Sequence, residues 1–274
     1  MILFALVLVL PSTPIDPWNF LNLKKIATMI FALVLIQFIG VSFSRLLGPK
    51  TGAILTGFLG GLVSSTATTA SLARRSQVTQ DDHVRSEVLT YLAATAAMLL
   101  EGALMVLVGT NELHFSLFII FLGPFLITMV MLILQSKKTV NDGLDLEANL
   151  FQLLPILKLA GFIFLTLALS KLLQVFLGQY GLLILTFLVS LFEIHGSIIA
   201  NIQLHDSGVL DVQGLGNFLA VSVTASYVSK MILVLVLGRA ELRSRVFART
   251  ALLLFSIGCS WLLFRMIMAY PVKT

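Results

Sequence analysis

Apolar runs of about twenty residues alternate with short polar stretches along the chain, the spacing expected of helices that cross a hydrocarbon core. Eight runs stand out, at 24–46, 52–73, 86–108, 115–134, 155–177, 181–203, 215–237 and 247–269. Polar connections separate them, among them "RRSQVTQDDHVRSE", "QSKKTVNDGLDLEAN" and "GRAELRSR". The second of these, residues 135–149, combines charge with an Asn-Asp-Gly turn signal and is expected to be an exposed loop. One run breaks the pattern: residues 57–76 read "GFLGGLVSSTATTASLARRS", three glycines and then six hydroxyl side chains between Ser64 and Ser71.

The order of the runs repeats. A shift of 129 residues lays Gly52 on Gly181, Phe58 on Phe187, Leu62 on Leu191, Thr95 on Thr224, Ala96 on Ala225 and Gly109 on Gly238. The same shift aligns the run boundaries, as a duplicated transporter-like unit requires. The expected fold is therefore all-α, a polytopic transmembrane bundle of two tandem four-segment repeats. Residues 1–23 form a short apolar stretch and linker, 24–134 the first unit, 135–150 the connection and 151–274 the second unit.

Topology turns on the second segment of each unit. If both cross, Lys and Arg divide almost evenly between the two sides, against the positive-inside rule. If both enter and return, Arg45, Lys50, Arg74, Arg75, Arg85, Lys137, Lys138, Arg239, Arg243, Arg245 and Arg249 share one face and the repeats are inverted. The second arrangement, with a broken Gly/Ser/Thr-rich helix in the first unit, is favoured, although "GLLILTFLVSLF" would also suit a spanning helix.

Composition removes whole classes of function. Of 274 residues 58% are hydrophobic and 11% charged, against about 25% charged in an ordinary soluble domain. The lipid bilayer is thus the expected partner. The net charge of +5 comes from residues between apolar runs, so it reads as topogenic charge and not as a nucleic-acid surface. The single cysteine, Cys259, excludes an intrachain disulfide. No cofactor is expected. The opening "MILFALVLVLP" lacks a basic start and a cleavage signal, and is too short to span. It reads either as a partial helix or as the end of a helix begun in a longer precursor. Asp81, Asp82 and His83 have metal-ligand chemistry, but a solvated loop explains them more simply.

On a continuous helix the hydroxyls of Ser64, Ser65, Thr66, Thr68, Thr69 and Ser71 cover about 220° of the circumference. No bulky apolar face remains, so this segment is expected to be enclosed by protein or to line a wet cavity. One reading is close packing through small residues with hydroxyls bonded back to their own helix. The other is a discontinuous helix whose amides, carbonyls and hydroxyls bind an ion or small solute. The second copy, "SLFEIHGSIIANIQ", places Ser190, Glu193, Ser197 and Asn201 within about 80° of one another.

Glu193 is an ionisable group at membrane depth and a functional candidate by default, with a proton or cation as counter-charge. A regular helix would turn His195 about 200° away from it, leaving a buried neutral imidazole or a proton relay as its alternatives. The shift makes Glu101 and Lys230 equivalent and so candidates for an ion pair across the pseudo-symmetry axis.

"LLGPKTGAILTGFLGGLVSSTATTASLARRS", residues 46–76, resembles the signature of a bacterial membrane domain of unknown function. That domain usually forms the carboxyl-terminal part of long MgtC/SapB-like proteins. "PIDPWNFLN", residues 14–22, is similar to the stretch preceding it there. The resemblance implies a multi-pass protein of the bacterial inner membrane, with a homodimer or an MgtC-like chain as the partner to test. It also implies two aspartates where this chain has Glu193 and His195. The leading expectation is a transporter or channel for an ion or small solute, with Ser64, Ser65, Thr66, Thr68, Thr69, Glu193, Ser197 and Asn201 as the binding residues. The alternative is a non-transporting regulatory or scaffold protein. An enzyme is not expected: an intramembrane hydrolase built on Ser65 and His195 would lack both a nucleophile elbow and a fixed acid.

Overall fold

The computed structural model describes residues 2–16, 21–47, 52–78, 83–112, 114–136 and 153–269. Lys50, Asp81, Asp82, Lys137, Lys138 and most of the expected 135–149 loop lie outside them. Among the described residues the chain is entirely helical. The helices are α1 (Ile2–Val9), α2 (Leu23–Leu47), α3 (Ala53–Arg75), α4 (Val84–Gly109), α5 (Phe115–Ser136), α6 (Leu153–Phe192), α7 (Ile194–Asp206), α8 (Val212–Leu237) and α9 (Ala240–Ala269).

Seven of them, all but α1 and α7, are long and apolar enough to cross a membrane. The chain is thus a multi-pass membrane protein. The exposed side chains of α5, α6 and α9 include Leu126, Ile133, Phe164, Phe176, Phe255 and Met266, an apolar belt that in water would be a severe liability and in lipid is solvated.

Two helices are interrupted within their apolar length. Ser64 in α3 has φ −168° and ψ 105°. Glu193, between α6 and α7, has φ −148° and ψ 102°. Both are extended conformations, and the two residues are 129 apart, the shift found in the sequence. Each then serves as the N-cap of the helix that follows. Ser64 Oγ accepts from the Ala67 amide at 3.2 Å, and Glu193 Oε1 accepts from the His195 amide at 3.0 Å, satisfying donors that a fresh helix start leaves orphaned.

The breaks reverse the chain. Thr186 Oγ1 donates to Asn201 Oδ1 at 3.1 Å across the Glu193 break; in an unbroken helix these residues would be about 22 Å apart. Residues 179–192 and α7 therefore lie side by side. A third interruption, Gly178 at φ 56°, separates residues 153–177 from this hairpin, a left-handed conformation that glycine adopts at little cost.

In α3, Thr90 Oγ1 of α4 donates to Ala53 O at 3.2 Å. A Cβ on Gly57 would lie 2.7 Å from Thr90 Cα, and one on Gly61 2.6 Å from Ala94 Cα. Residues 53–63 thus climb in parallel with α4. The far end of α3 nevertheless returns to the start of α4: Ser76 Oγ accepts from the Arg239 amide at 3.0 Å and Gln77 donates to Leu237 O, where α8 ends and α9 begins. Arg85 reaches Gln135 O at the end of α5, and Arg249 of α9 reaches the Gln135 side chain. The length of α3 is spent entering and coming back.

The opposite face is tied together by Lys25, which donates to Asn111 at 3.0 Å and pairs with Asp206. Asn22 N donates to Gln203 Oε1. The start of α2 and the end of α4 thereby hold the outer end of the second hairpin. α3 packs on α8 and α7 on α4, α4 packs on α9 and α5 on α8, and α5 meets α9. α1 packs on α2, with Phe4 and Phe31 rings 5.8 Å apart.

Candidate functional site

The interior is organised around α4 and α8, against which both hairpins pack. Small residues make this approach possible. Gly57 and Gly61 bring the first limb of α3 onto the α4 backbone so closely that a methyl group would displace it.

Beyond Ser64 the hydroxyl segment is a regular helix. Ser65, Thr68 and Thr69 are buried, and Thr69 Oγ1 donates to Ser65 O at 2.7 Å. This back-bonding meets the packing reading for one hydroxyl. Ser64 and Thr66 are half-buried. The exposed stripe of this limb is Ala67, Ser71 and Arg74. It holds no bulky apolar side chain, so it suits a wet surface and not an acyl chain. Residues 179–192 contrast with it: their exposed stripe is Tyr180, Ile184, Leu188 and Phe192, suited to lipid.

The second hairpin carries a different chemistry. Asn201 accepts from Thr186 and donates to Ser222 Oγ at 3.2 Å. Ser222 also meets Ser197 Oγ at 3.1 Å and donates to Phe218 O. Ser197 and Asn201 thus clamp the hairpin's limbs to each other and to α8. The expected stripe of Ser190, Glu193, Ser197 and Asn201 is cut at Glu193, where the helix stops. Ser190 stays on the other limb, buried, with no hydrogen-bond partner for its hydroxyl among the described residues.

The same break corrects the expected separation of Glu193 from His195. With no helical turn between them, His195 Nδ1 lies 3.0 Å from Glu193 Oε1. Its Nε2 lies 3.2 Å from Glu101 Oε2 of α4. That second contact is bent too far for a hydrogen bond, and both Glu101 oxygens lack an aligned partner among the described residues. Glu101 is 1% exposed, whereas the Glu193 side chain keeps 39% of its surface accessible.

The expected Glu101–Lys230 pair is replaced. Lys230, fully buried, donates to Ser226 Oγ at 2.6 Å and Met98 Sδ at 2.9 Å, while Glu101 meets His195. Thr186, Ser222 and Met98 were not singled out in the sequence. The only signal for the first two was a hydroxyl inside an apolar run, and Met98 had none. No group of three metal-ligating side chains occurs among the described residues.

The fold and interior define a polytopic helical membrane protein with two interrupted helices and a buried polar centre. The family model "Domain of unknown function (DUF4010)" matches residues 32–238. The chain belongs to that family. No curated protein and no solved structure matches it.

Proposed function

We propose that the chain is a transporter for an ion or small solute, built from two inverted repeats whose hairpin tips form the transport site. The observation carrying this reading is the hydroxyl limb of α3. It starts at the Ser64 break and presents Ala67, Ser71 and Arg74 as its accessible stripe, a polar route from one face of the bundle toward its middle. Residues 53–63 are about 16 Å long as a helix, roughly half of a 30 Å hydrocarbon core. The break therefore falls near the midplane, where irregular backbone is tolerated only if buried in protein or lining a cavity.

The repeat reading rests on the 129-residue spacing of Ser64 and Glu193 and on the packing of α3 on α8 and of α7 on α4. Three crossings and one hairpin per unit make the units antiparallel. Arg74, Arg75, Arg85, Arg239, Arg243 and Arg249 then gather at one face, which the positive-inside rule makes cytoplasmic. A bacterial inner membrane fits this arrangement.

Ser64, Ser65, Thr66 and Thr68 would contribute hydroxyls and free amides to the solute, with Glu193 on the opposing hairpin; Thr69, Ser197 and Asn201 would hold the hairpins in shape. The test is flux into proteoliposomes from a panel of monovalent cations, divalent cations and small neutral solutes. At least one should enter faster than into protein-free vesicles, and Ser65→Ala with Thr66→Ala should slow it. Absence of flux across the panel, or flux indifferent to these changes and to Glu193→Gln, would overturn the reading.

A further inference from the structure

We infer that Glu101, His195 and Glu193 form a proton-binding relay, in which the imidazole passes a proton between an accessible carboxylate at the hairpin break and a buried one on α4. The geometry is an imidazole held between two carboxyl groups, Nδ1 at 3.0 Å from Glu193 Oε1 and Nε2 at 3.2 Å from Glu101 Oε2.

A neutral imidazole carries one N–H and one lone pair. With both carboxyls ionised, one nitrogen would direct its lone pair at a carboxylate oxygen. Two attractive contacts therefore need two protons among the three groups: an imidazolium between two carboxylates, or a neutral imidazole with one carboxylic acid. Either form carries one negative charge.

The surroundings supply its balance. α7 packs against α4, α6 and α8. From α4 comes Glu101. From α8 comes Lys230, fully buried and donating to Ser226 on its own helix and to Met98, one turn before Glu101 on α4. From α6 the side chains nearest Gly196 are Leu159 and Phe162, both apolar. When Lys230 carries its proton the two-proton state is neutral, whereas one proton fewer or more on the three groups leaves a net charge buried inside the bundle.

The two ends differ in access. Glu193 is 39% accessible and Glu101 1%. A proton entering on Glu193 Oε1 leaves it for Nδ1, the proton on Nε2 passes to Glu101 Oε2, and the imidazole ends as the other tautomer. Each N–H or O–H bond formed matches one broken. The Nε2 contact already has the distance for transfer and requires only a better angle. Because this contact joins α7 to α4, the proton count also sets the strength of the tether between the second hairpin and the bundle.

The relay stands on this geometry alone; its use to drive a solute rests on the transport reading. The test is solid-state NMR of the full chain, 15N-labelled at histidine, in lipid bilayers across a pH series, with His195 assigned by its loss in His195→Gln. The expected result is a His195 ring bonded at both nitrogens, with a pH-dependent change in its protonation. In Glu101→Gln only Nδ1–H should remain.

A wild-type ring that is a plain neutral imidazole with an unbonded Nε2 at every pH would overturn the relay, whether or not the variant folds. So would a spectrum unchanged by Glu101→Gln. A relay spectrum in a protein that moves no solute would instead sink the transport reading and leave the relay standing.

Discussion

Replacing Thr186 by Val and Asn201 by Leu, singly and together, measures whether the two limbs around Glu193 lie side by side. Asn201 makes two side-chain hydrogen bonds, to Thr186 at 3.1 Å and to Ser222 at 3.2 Å. A net value of about 0.5–1.5 kcal/mol per bond, with about 0.6 as the average found inside a membrane, puts the cost of Asn201→Leu at about 1–3 kcal/mol. Thr186→Val removes one of the same bonds. The double variant should therefore be less destabilised than the sum of the singles by about 0.5–1.5 kcal/mol. In an unbroken helix the residues would be about 22 Å apart, and such distant changes add to within about 0.3–0.5 kcal/mol. Reversible unfolding in mixed micelles gives all four stabilities. A coupling no larger than that scatter would refute the hairpin and with it the proposed inverted arrangement.

Gly61→Leu should destabilise by about 1–3 kcal/mol or more through overpacking, read as a lower melting temperature in detergent, because even a methyl there meets Ala94 Cα at 2.6 Å. Asp206→Asn should cost about 1.5–3 kcal/mol in the same assay, since the Lys25 pair is largely buried, its side chains only 13% and 17% exposed. Ser64→Ala, losing the cap to Ala67, should cost about 0.5–2 kcal/mol, and Ser64→Asp should restore most of it. In a Cys259→Ser background, thiols at Gln77 and Glu241 should react with an impermeant maleimide from one side of the vesicle and a thiol at Glu112 from the other; labelling of all three from one side would contradict the topology.

Helix positions were legible in the sequence because hydrophobic length is a local property. The expected segments at 24–46, 86–108, 115–134 and 215–237 each fall within the helix now seen. The break at Ser64 was half legible: glycines and hydroxyls mark a limb that cannot face lipid, and Ser is a good N-cap. The place of the break at Glu193 was hidden, since "FLVSLFEIHGSIIAN", without Pro and with Gly only after the break, reads as continuous helix. A helical wheel assumes that continuity. It therefore separated Glu193 from His195, which the structure joins, and aligned Ser190 with Asn201, which it parts.

The Glu101–Lys230 expectation failed for a different physical reason. Equivalence by a constant sequence shift does not by itself bring two side chains into contact; each meets what its own surroundings supply. Glu101 meets His195 at the base of the second hairpin. Lys230 is held by Ser226 on its own helix and Met98 on α4. The same shift sets Ser64 against Glu193 and Thr66 against His195, so one backbone design carries two chemistries. In the first hairpin the cap is a hydroxyl and the limb beyond it is lined with small polar groups. In the second the cap is a carboxylate that also grips an imidazole, and the remaining polar side chains are used in holding the limbs together. A symmetric pore would need the same groups on both sides of its axis. The difference between the two hairpins instead favours a site in which one half offers neutral oxygens and amides and the other half holds the charge.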